Sequence, residues 1–421
     1  MKREREGGTL FWGWWIVIGS FLILSMNYGS RYCFGVFVNP MFSEYQWSVS
    51  MISMAASINL LMYSTGGVIS GWLLDRMAPK WIMTAGAIIA AVGFIMTSMI
   101  HTPAQLYLSY GVLCGLGSAG MGLVVSSSSV GKWFIRKRGV AVGIASMGIG
   151  FGTMALTPIA GYIVKNYEWR HGFIFFGILI LLVVITVSQI LMGKRNPEIY
   201  GLLPDGDHPR DTALQGMNLD LSQIPATSVI PVFKDFRFWI TVFCFGAALM
   251  TAMMAFVHQV SYAIDNDIDK IIAASSVGVL GIASIFGRYF FGWFSDHLQD
   301  AKYSAFLGFL VMAAGMGILI NTPSVSLMIV YAAVFGFGYG SLAPMMPVLL
   351  ADRFGRYVLG SAYGWLLFFV GGVGGALGPL VGGLIYDSFG SYNYAWRFNI
   401  VLLIAAAFGI LALKPRDTDV R

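Results

Sequence analysis

Charge is what this chain has least of. Only 11% of its 421 residues are Asp, Glu, Lys or Arg, against about 25% in a soluble chain. The hydrophobic share is 57% and the mean hydropathy is +0.73, which excludes an ordinary soluble domain. Cysteine is scarce. Cys33, Cys114 and Cys244 all fall in apolar stretches and form neither a disulfide framework nor a metal spacing. A Gly-x-x-x-x-Gly-Lys-Ser/Thr loop is missing, so ATP does not drive the chain directly. A catalytic triad, a metal cluster and a haem motif are missing too, which points to a protein that is not an enzyme and carries no cofactor. The net charge of +6 does not point to nucleic acid, because the basic residues sit between apolar stretches and not on one soluble face.

What is present is apolar length. Twelve segments are long enough to span a bilayer: 12–38, 50–74, 80–100, 105–131, 139–164, 171–193, 238–263, 271–295, 303–321, 325–349, 359–386 and 394–413. The leader MKREREGG is charged but precedes a long span with no small-residue cleavage site, so it reads as a cytoplasmic lead-in to the first helix. With the N-terminus inside, 20 Lys and Arg fall on the inner side, among them Lys2, Arg3, Arg5, Arg210, Arg416 and Arg421. Only Lys165, Arg170, Lys270 and Arg397 fall outside. The positive-inside bias therefore puts both termini in the cytoplasm.

The chain repeats itself. Gly71-Trp72-Leu73-Leu74-Asp75 matches Gly292-Trp293-Phe294-Ser295-Asp296 at an offset of 221, which Pro158 and Pro379, and Gly139 and Gly360, share. Tyr167-x-Trp169-Arg170 matches Tyr394-x-Trp396-Arg397 at an offset of 227. The expected fold is all-α: twelve transmembrane helices in two six-helix pseudo-repeats, a parallel-repeat plan of secondary transporters. The halves are 1–193 and 237–421, and the polar stretch 194–236 is a cytoplasmic linker.

Within the segment Ile271 to Asp296, Arg288 is the lone full charge before the terminal Asp. A charge in hydrocarbon costs about 2.5–3.5 kcal/mol on insertion scales, so it faces a water-filled cavity and marks an ion pathway. A guanidinium forks onto a carboxylate in two bonds. The bland alternative is an Arg paired to carbonyls or snorkelling from about 10 Å of depth. Arg31 is the second buried cation, with Asn27, Tyr28 and Tyr32 beside it at helical spacing; it either joins the site or reaches the outer interface. Tyr339 and Phe369 head a set of aromatics, with Phe335, Phe337, Trp365 and Phe368, that line a cavity or simply pack. His258 is the one histidine well inside a span and suits proton exchange, or serves as a hydrogen-bonded core residue. No span buries an acidic residue, which speaks against a cation as cargo.

The glycine runs are helix-packing faces. Gly115-x-Gly117-x-x-Gly120 matches a dinucleotide fingerprint but follows no strand, and Gly148-x-Gly150-x-Gly152 and 371–378 belong with it.

Six plus six helices with GWLLDR after the second resemble the major facilitator superfamily. Within it, the chain is similar to bacterial members of the monocarboxylate porter and oxalate/formate exchanger group. The matching pieces are GSRYCFGVFVNPM with Trp47-Ser48, GKWFIRKRGVAVGIASMGIGFG, PEIYGLLPDGD, HQVSYAID and GRYFFGWFSD. The resemblance implies a gating loop at Gly71, Asp75 and Arg76, repeated at Gly292 and Asp296. Ala78, Pro79 and His297 depart from the superfamily's usual loop. Animal monocarboxylate porters carry an Asp where Ser284 stands and a Lys in helix 1, where this chain has Arg31-Tyr32. The oxalate exchangers' helix 11 Lys is replaced by Val370, which argues against a dicarboxylate.

The expectation is a monomeric carrier of the inner membrane. It moves a small, lactate- or pyruvate-like monocarboxylate by alternating access, with the carboxylate on Arg288, Arg31, Tyr32, Asn27, Ser284, Tyr339 and Phe369, and a proton on His258. Carboxylate exchange, a carrier of neutral or cationic compounds, and a non-transporting sensor stay open.

Overall fold

The computed structural model describes residues 11–198, 202–206, 228–298, 300–320 and 324–414. Among them twelve long helices cross the bundle in order: α1 Trp12–Tyr32, α2 Val49–Leu74, α3 Pro79–Thr97, α4 Pro103–Trp133, α5 Arg138–Asn166, α6 Trp169–Leu191, α7 Phe236–Asp265, α8 Lys270–His297, α9 Lys302–Ile320, α10 Val325–Phe354, α11 Leu359–Phe389 and α12 Asn393–Leu411. Eleven of them, α2 to α12, are long and apolar enough to cross a membrane. α1 falls short of that hydropathy because it carries Asn27, Tyr28 and Arg31. Its 21 residues still reach about 31 Å at 1.5 Å per residue, the thickness of a bilayer's hydrocarbon core. Beyond Cys33 the chain continues as a second helix, Phe34–Tyr45.

The helix starts are written in the sequence. Ser48 accepts a hydrogen bond from the Met51 N–H at the head of α2, Thr102 and Gln105 form a capping box on α4, and Asp235 and Asp269 cap α7 and α8. Each side chain satisfies backbone donors that a helix start leaves unpaired. Three crossings contain π-helical stretches: Tyr107–Cys114 in α4, Leu181–Ile185 in α6 and Phe368–Gly375 in α11. Such stretches shift the facing of every later residue and gather at functional sites.

Two buried clusters carry the packing. One lies within α1 to α6. The other lies mainly within α7 to α12 and takes in Tyr28, Tyr63, Leu123 and Ile149 from the first six, so the halves share a seam. In the first half α1 lies directly on α5: a Cβ at Gly148 or Gly152 would strike the carbonyls of Phe21 and Ser25. Only Gly permits that approach. Large apolar side chains such as Leu182, Ile190, Phe243, Val401 and Phe408 face outward, as a lipid-facing rim requires. Cys33, Cys114 and Cys244 are free and buried. Lys2, Arg3, Arg5, Arg210, Arg416 and Arg421, on which part of the orientation argument rests, lie outside the described residues, as do 199–201 and 207–227 of the expected linker.

Candidate functional site

Two neighbouring cavities open along the seam. The smaller, about 150 Å³, is walled by Tyr28, Arg31 and Tyr63 from one half and Arg288, Tyr339 and Met346 from the other, with further apolar residues. The larger, about 600 Å³, lies between α5, α7 and α8. Tyr32, Ile149, Met253, Arg288 and Tyr339 line both. Neither wall contains Asp, Glu, His or Lys. The arginines are therefore the full charges of the site.

Arg288 is only 4% exposed. Its Nη1 donates to Ser284 Oγ at 2.8 Å, one turn back on α8, and Ser284 Oγ donates to the Gly281 carbonyl at 2.7 Å. Ser284 thus fixes the guanidinium from one side. The Nε–H is buried with no hydrogen-bond partner. A buried unpaired donor on a charged group costs about 1–3 kcal/mol or more, and a bound anion would remove that cost.

Arg31 is 8% exposed and more fully held. Its Nε donates to Asn59 Oδ1 at 3.0 Å, and Asn59 Nδ2 donates to the Tyr110 carbonyl at 2.8 Å. The guanidinium lies 4.2 Å from the Tyr63 ring centre, a cation–π contact. Tyr63 and Tyr28 share a hydrogen bond of 2.7 Å between hydroxyls, and Tyr63 Oη accepts the Leu123 N–H at 3.2 Å. Arg31 therefore faces the cavity and does not reach for the outer interface.

Of the residues expected to bind substrate, Arg288, Arg31, Tyr32, Ser284 and Tyr339 come together here. Two do not. Asn27 is fully buried and donates to the Ser118 carbonyl of α4 at 3.1 Å, so it joins α1 to α4. Phe369 packs on Trp239 and Trp365, while α11 shows Leu367, Gly371 and Gly375 to the cavity. Val370 is likewise buried outside the lining. Of the other aromatics, Phe335, Phe337, Trp365 and Phe368 line neither cavity. His258 is off the cavity as well. On α7 the residues Leu249, Met253 and Phe256 face it, whereas His258 lies against Gly382. Its Nε2 sits 2.9 Å from the Pro379 carbonyl and its Nδ1 3.3 Å from Tyr392 Oη. The carbonyl can only accept, so Nε2 carries a proton. Tyr63 and Asn59 are site residues that the sequence reading missed. The repeat offset held a signal for the first: Tyr63 plus 221 is Ser284.

At one end of the bundle the seam is locked twice. Asp75, at the end of α2, accepts the Gly360 and Ser361 N–H groups at 3.1 and 2.7 Å and the Ser361 hydroxyl at 2.7 Å, all at the start of α11. Asp296, at the end of α8, accepts the Gly139 and Val140 N–H groups at 2.6 and 2.8 Å, at the start of α5. Each carboxylate meets the positive end of a helix from the other half. Gly71 against Gly360, and Gly292 against Gly139, leave no room for a Cβ. Lys132 Nζ pairs with Asp75 at 3.2 Å, and Arg138 pairs with Asp352 at 2.8 Å across the seam. Arg76 takes no part in these locks: it is exposed, folds over the Trp72 ring and donates to its carbonyl at 3.0 Å. Lys132 is the basic partner of Asp75. The linker joins in. Glu198 pairs with Arg356, and Asp205 accepts the N–H groups of Ile135, Arg136 and Lys137 at 3.0, 3.0 and 3.2 Å.

Two six-helix halves that enclose a charged cavity between them define a multi-pass membrane transporter rather than an enzyme. The sequence profile of the Major Facilitator Superfamily matches residues 20–379 and 300–421; the chain belongs to that family. It is 26% identical to mouse monocarboxylate transporter 12 over 417 residues, covering 94% of this chain and 83% of that protein. It is 25% identical to human monocarboxylate transporter 2, covering 96% and 85%. In fold it resembles the proton:xylose symporter XylE, with a TM-score of 0.73, 15% identity and 96% of each chain covered. It also resembles the transporter FucP in its outward conformation, with a TM-score of 0.68, 12% identity and 94% and 97% covered.

Proposed function

We propose that this chain carries a small organic monocarboxylate across the cytoplasmic membrane by alternating access. The observation that carries the reading is Arg288: buried on the seam, with an unpartnered Nε–H, beside Arg31, in walls without a single acidic residue. Such a site is positive and suits an anion. A planar carboxylate fits a guanidinium fork, and the relatives named monocarboxylate transporters agree with that cargo.

The halves, 1–193 and 237–421, rock about this site, with the 194–236 linker on the cytoplasmic side. The locks at Asp75 and Asp296 stand on the side richest in Lys and Arg, so they form the cytoplasmic gate, and the protein acts as a monomer. The seam beneath the cavity supports the rocking. The hydroxyls of Ser126, Ser127 and Ser128, on the part of α4 that packs against α10 and α11, are buried without partners, and water would satisfy them when the gate opens.

A monoanion entering against a negative interior is opposed by about 2.3 kcal/mol per 100 mV, so a proton or a counter-anion must offset its charge. Exchange of one carboxylate for another is a second reading. It is favoured by the lack of any Asp, Glu or His in the cavity walls that could take a proton. Uptake of labelled carboxylates into proteoliposomes separates the two. Accumulation driven by an inward proton gradient in empty vesicles supports symport, whereas a strict need for internal carboxylate supports exchange. Transport of neutral or cationic compounds alone would refute both.

A further inference from the structure

The larger cavity meets Arg288 and is apolar almost throughout. Met154, Phe256, Val277, Leu280, Ile282 and Ile285 are among its apolar wall residues. Its Thr153, Thr157 and Ser284 hydroxyls are turned back onto carbonyls of their own helices at 2.8, 2.7 and 2.7 Å. The charge thus sits at one end of an apolar chamber of about 600 Å³. A three-carbon carboxylate displaces about three waters, roughly 90 Å³ at about 30 Å³ each, so it would leave most of that wall wet. Chambers of about 300–1,000 Å³ with apolar walls and a few polar anchors suit ligands well above that size.

Two residues of α8 set this space. Gly278 and Gly281 line the cavity on the helical face that leads to Ser284, Ile285 and Arg288. A Cβ at either meets no atom within 4 Å. They are not close-packing glycines like Gly287 or Gly292 of the same helix, where a Cβ would strike the opposing backbone. Their missing side chains are open cavity volume.

Resting on the carboxylate reading, we infer that the preferred substrate is a monocarboxylate with a branched, aromatic or extended apolar body larger than lactate or pyruvate, and that Gly278 and Gly281 are the residues that admit that body. The carboxylate seats on Arg288 and the body lies along α8 toward Val277. Each CH₂ that enters such a wall adds about 0.8 kcal/mol of transfer free energy, about fourfold in affinity.

The test is thermal stabilisation of the full-length protein in detergent by a 2-oxo acid series, from pyruvate to 2-oxooctanoate, with phenylpyruvate alongside. The matching carboxamides control for partition into the micelle. The expected result is an affinity that climbs by about threefold to fourfold per CH₂ over at least three steps. Gly281→Ala, Gly281→Val and Gly281→Leu should lower the ratio of long-chain to pyruvate affinity in that order, by tenfold or more for Leu, and Gly278→Val should do the same independently. Affinity that is flat or falls with chain length overturns the inference while leaving a carboxylate carrier intact. So does an unchanged ratio in folded Gly281→Leu and Gly278→Val. Binding of carboxamides as tight as that of the acids, or no binding by any acid, overturns the carboxylate reading and this inference together.

Discussion

Asp75 and Asp296 stand 221 residues apart and make the same contact in opposite directions. Each accepts two successive N–H groups at the first turn of a helix in the other half, α11 for Asp75 and α5 for Asp296. The bundle is therefore closed at that end by a pair of charge-assisted caps related by the internal repeat. Helices that need those caps cannot separate without exposing bare N–H groups and two carboxylates. Water can take over both roles, as the proposed opening of that end requires.

Asp296→Asn keeps the shape of the cap but removes its charge. A hydrogen bond to a charged group contributes about 1.5–3 kcal/mol, against about 1 for a neutral one. The variant should shift the balance toward the state open at that end by about threefold to thirtyfold. A cysteine at Ser127, buried on α4 one turn before Gly131, which faces Leu359 of α11, reports the shift: Ser127→Cys should react with a thiol reagent several times faster when combined with Asp296→Asn. Equal rates in the two backgrounds would show that the cap does not hold the gate.

His258→Gln should leave the pH dependence of uptake unchanged between about pH 5 and 8, the range in which a histidine proton would act. Glutamine can still donate to the Pro379 carbonyl, so the cost is the Tyr392 contact, about 1 kcal/mol in stability. Uptake profiles of wild type and variant against outside pH decide the matter. Loss of proton-driven accumulation in the variant would put His258 back in the mechanism.

That residue shows where the sequence stops being legible. The twelve spans, the repeat and the buried place of Arg288 could be read because apolar length, a fixed offset and an isolated charge are local signals. His258 and Phe256 are two places apart on one helix, and only the rotation of α7 decides which faces the cavity. Asn27 and Tyr28 present the same problem on α1. Phe369 fails for a further reason: it lies in the π-helical stretch Phe368–Gly375, across which a 3.6-residue period cannot be carried. The basic partner of Asp75 is not legible in the sequence, because packing delivers Lys132 from α4.

Outside the crossings, the Arg170 guanidinium holds the Glu44 carboxyl below its ordinary range through hydrogen bonds of 2.9 and 2.6 Å, and Trp169 Nε1 adds a bond of 2.7 Å. A carboxyl depressed on folding adds stability that is present above its unfolded pKa of about 4.3 and is lost as pH falls through the lower folded value. Glu44 is partly exposed, so the contribution is screened to about 0.5 kcal/mol. Glu44→Gln should lower the melting temperature slightly at pH 7 and lose less than wild type between about pH 5 and 3. Parallel melting curves for the two proteins over that range would contradict the pairing.

Counterflow tests the central claim most directly, because it requires only that the carrier bind and turn over, whether by symport or by exchange. Proteoliposomes are loaded with an unlabelled 2-oxo acid and diluted into the labelled acid, with wild type and Arg288→Lys compared at equal folded content. Lysine keeps the charge but loses the fork. Losing one of the fork's two charge-assisted hydrogen bonds costs about 1.5–3 kcal/mol, at least about tenfold in affinity. The account predicts a transient accumulation of label with wild type and none above background with Arg288→Lys. Equal counterflow by the two proteins would contradict it.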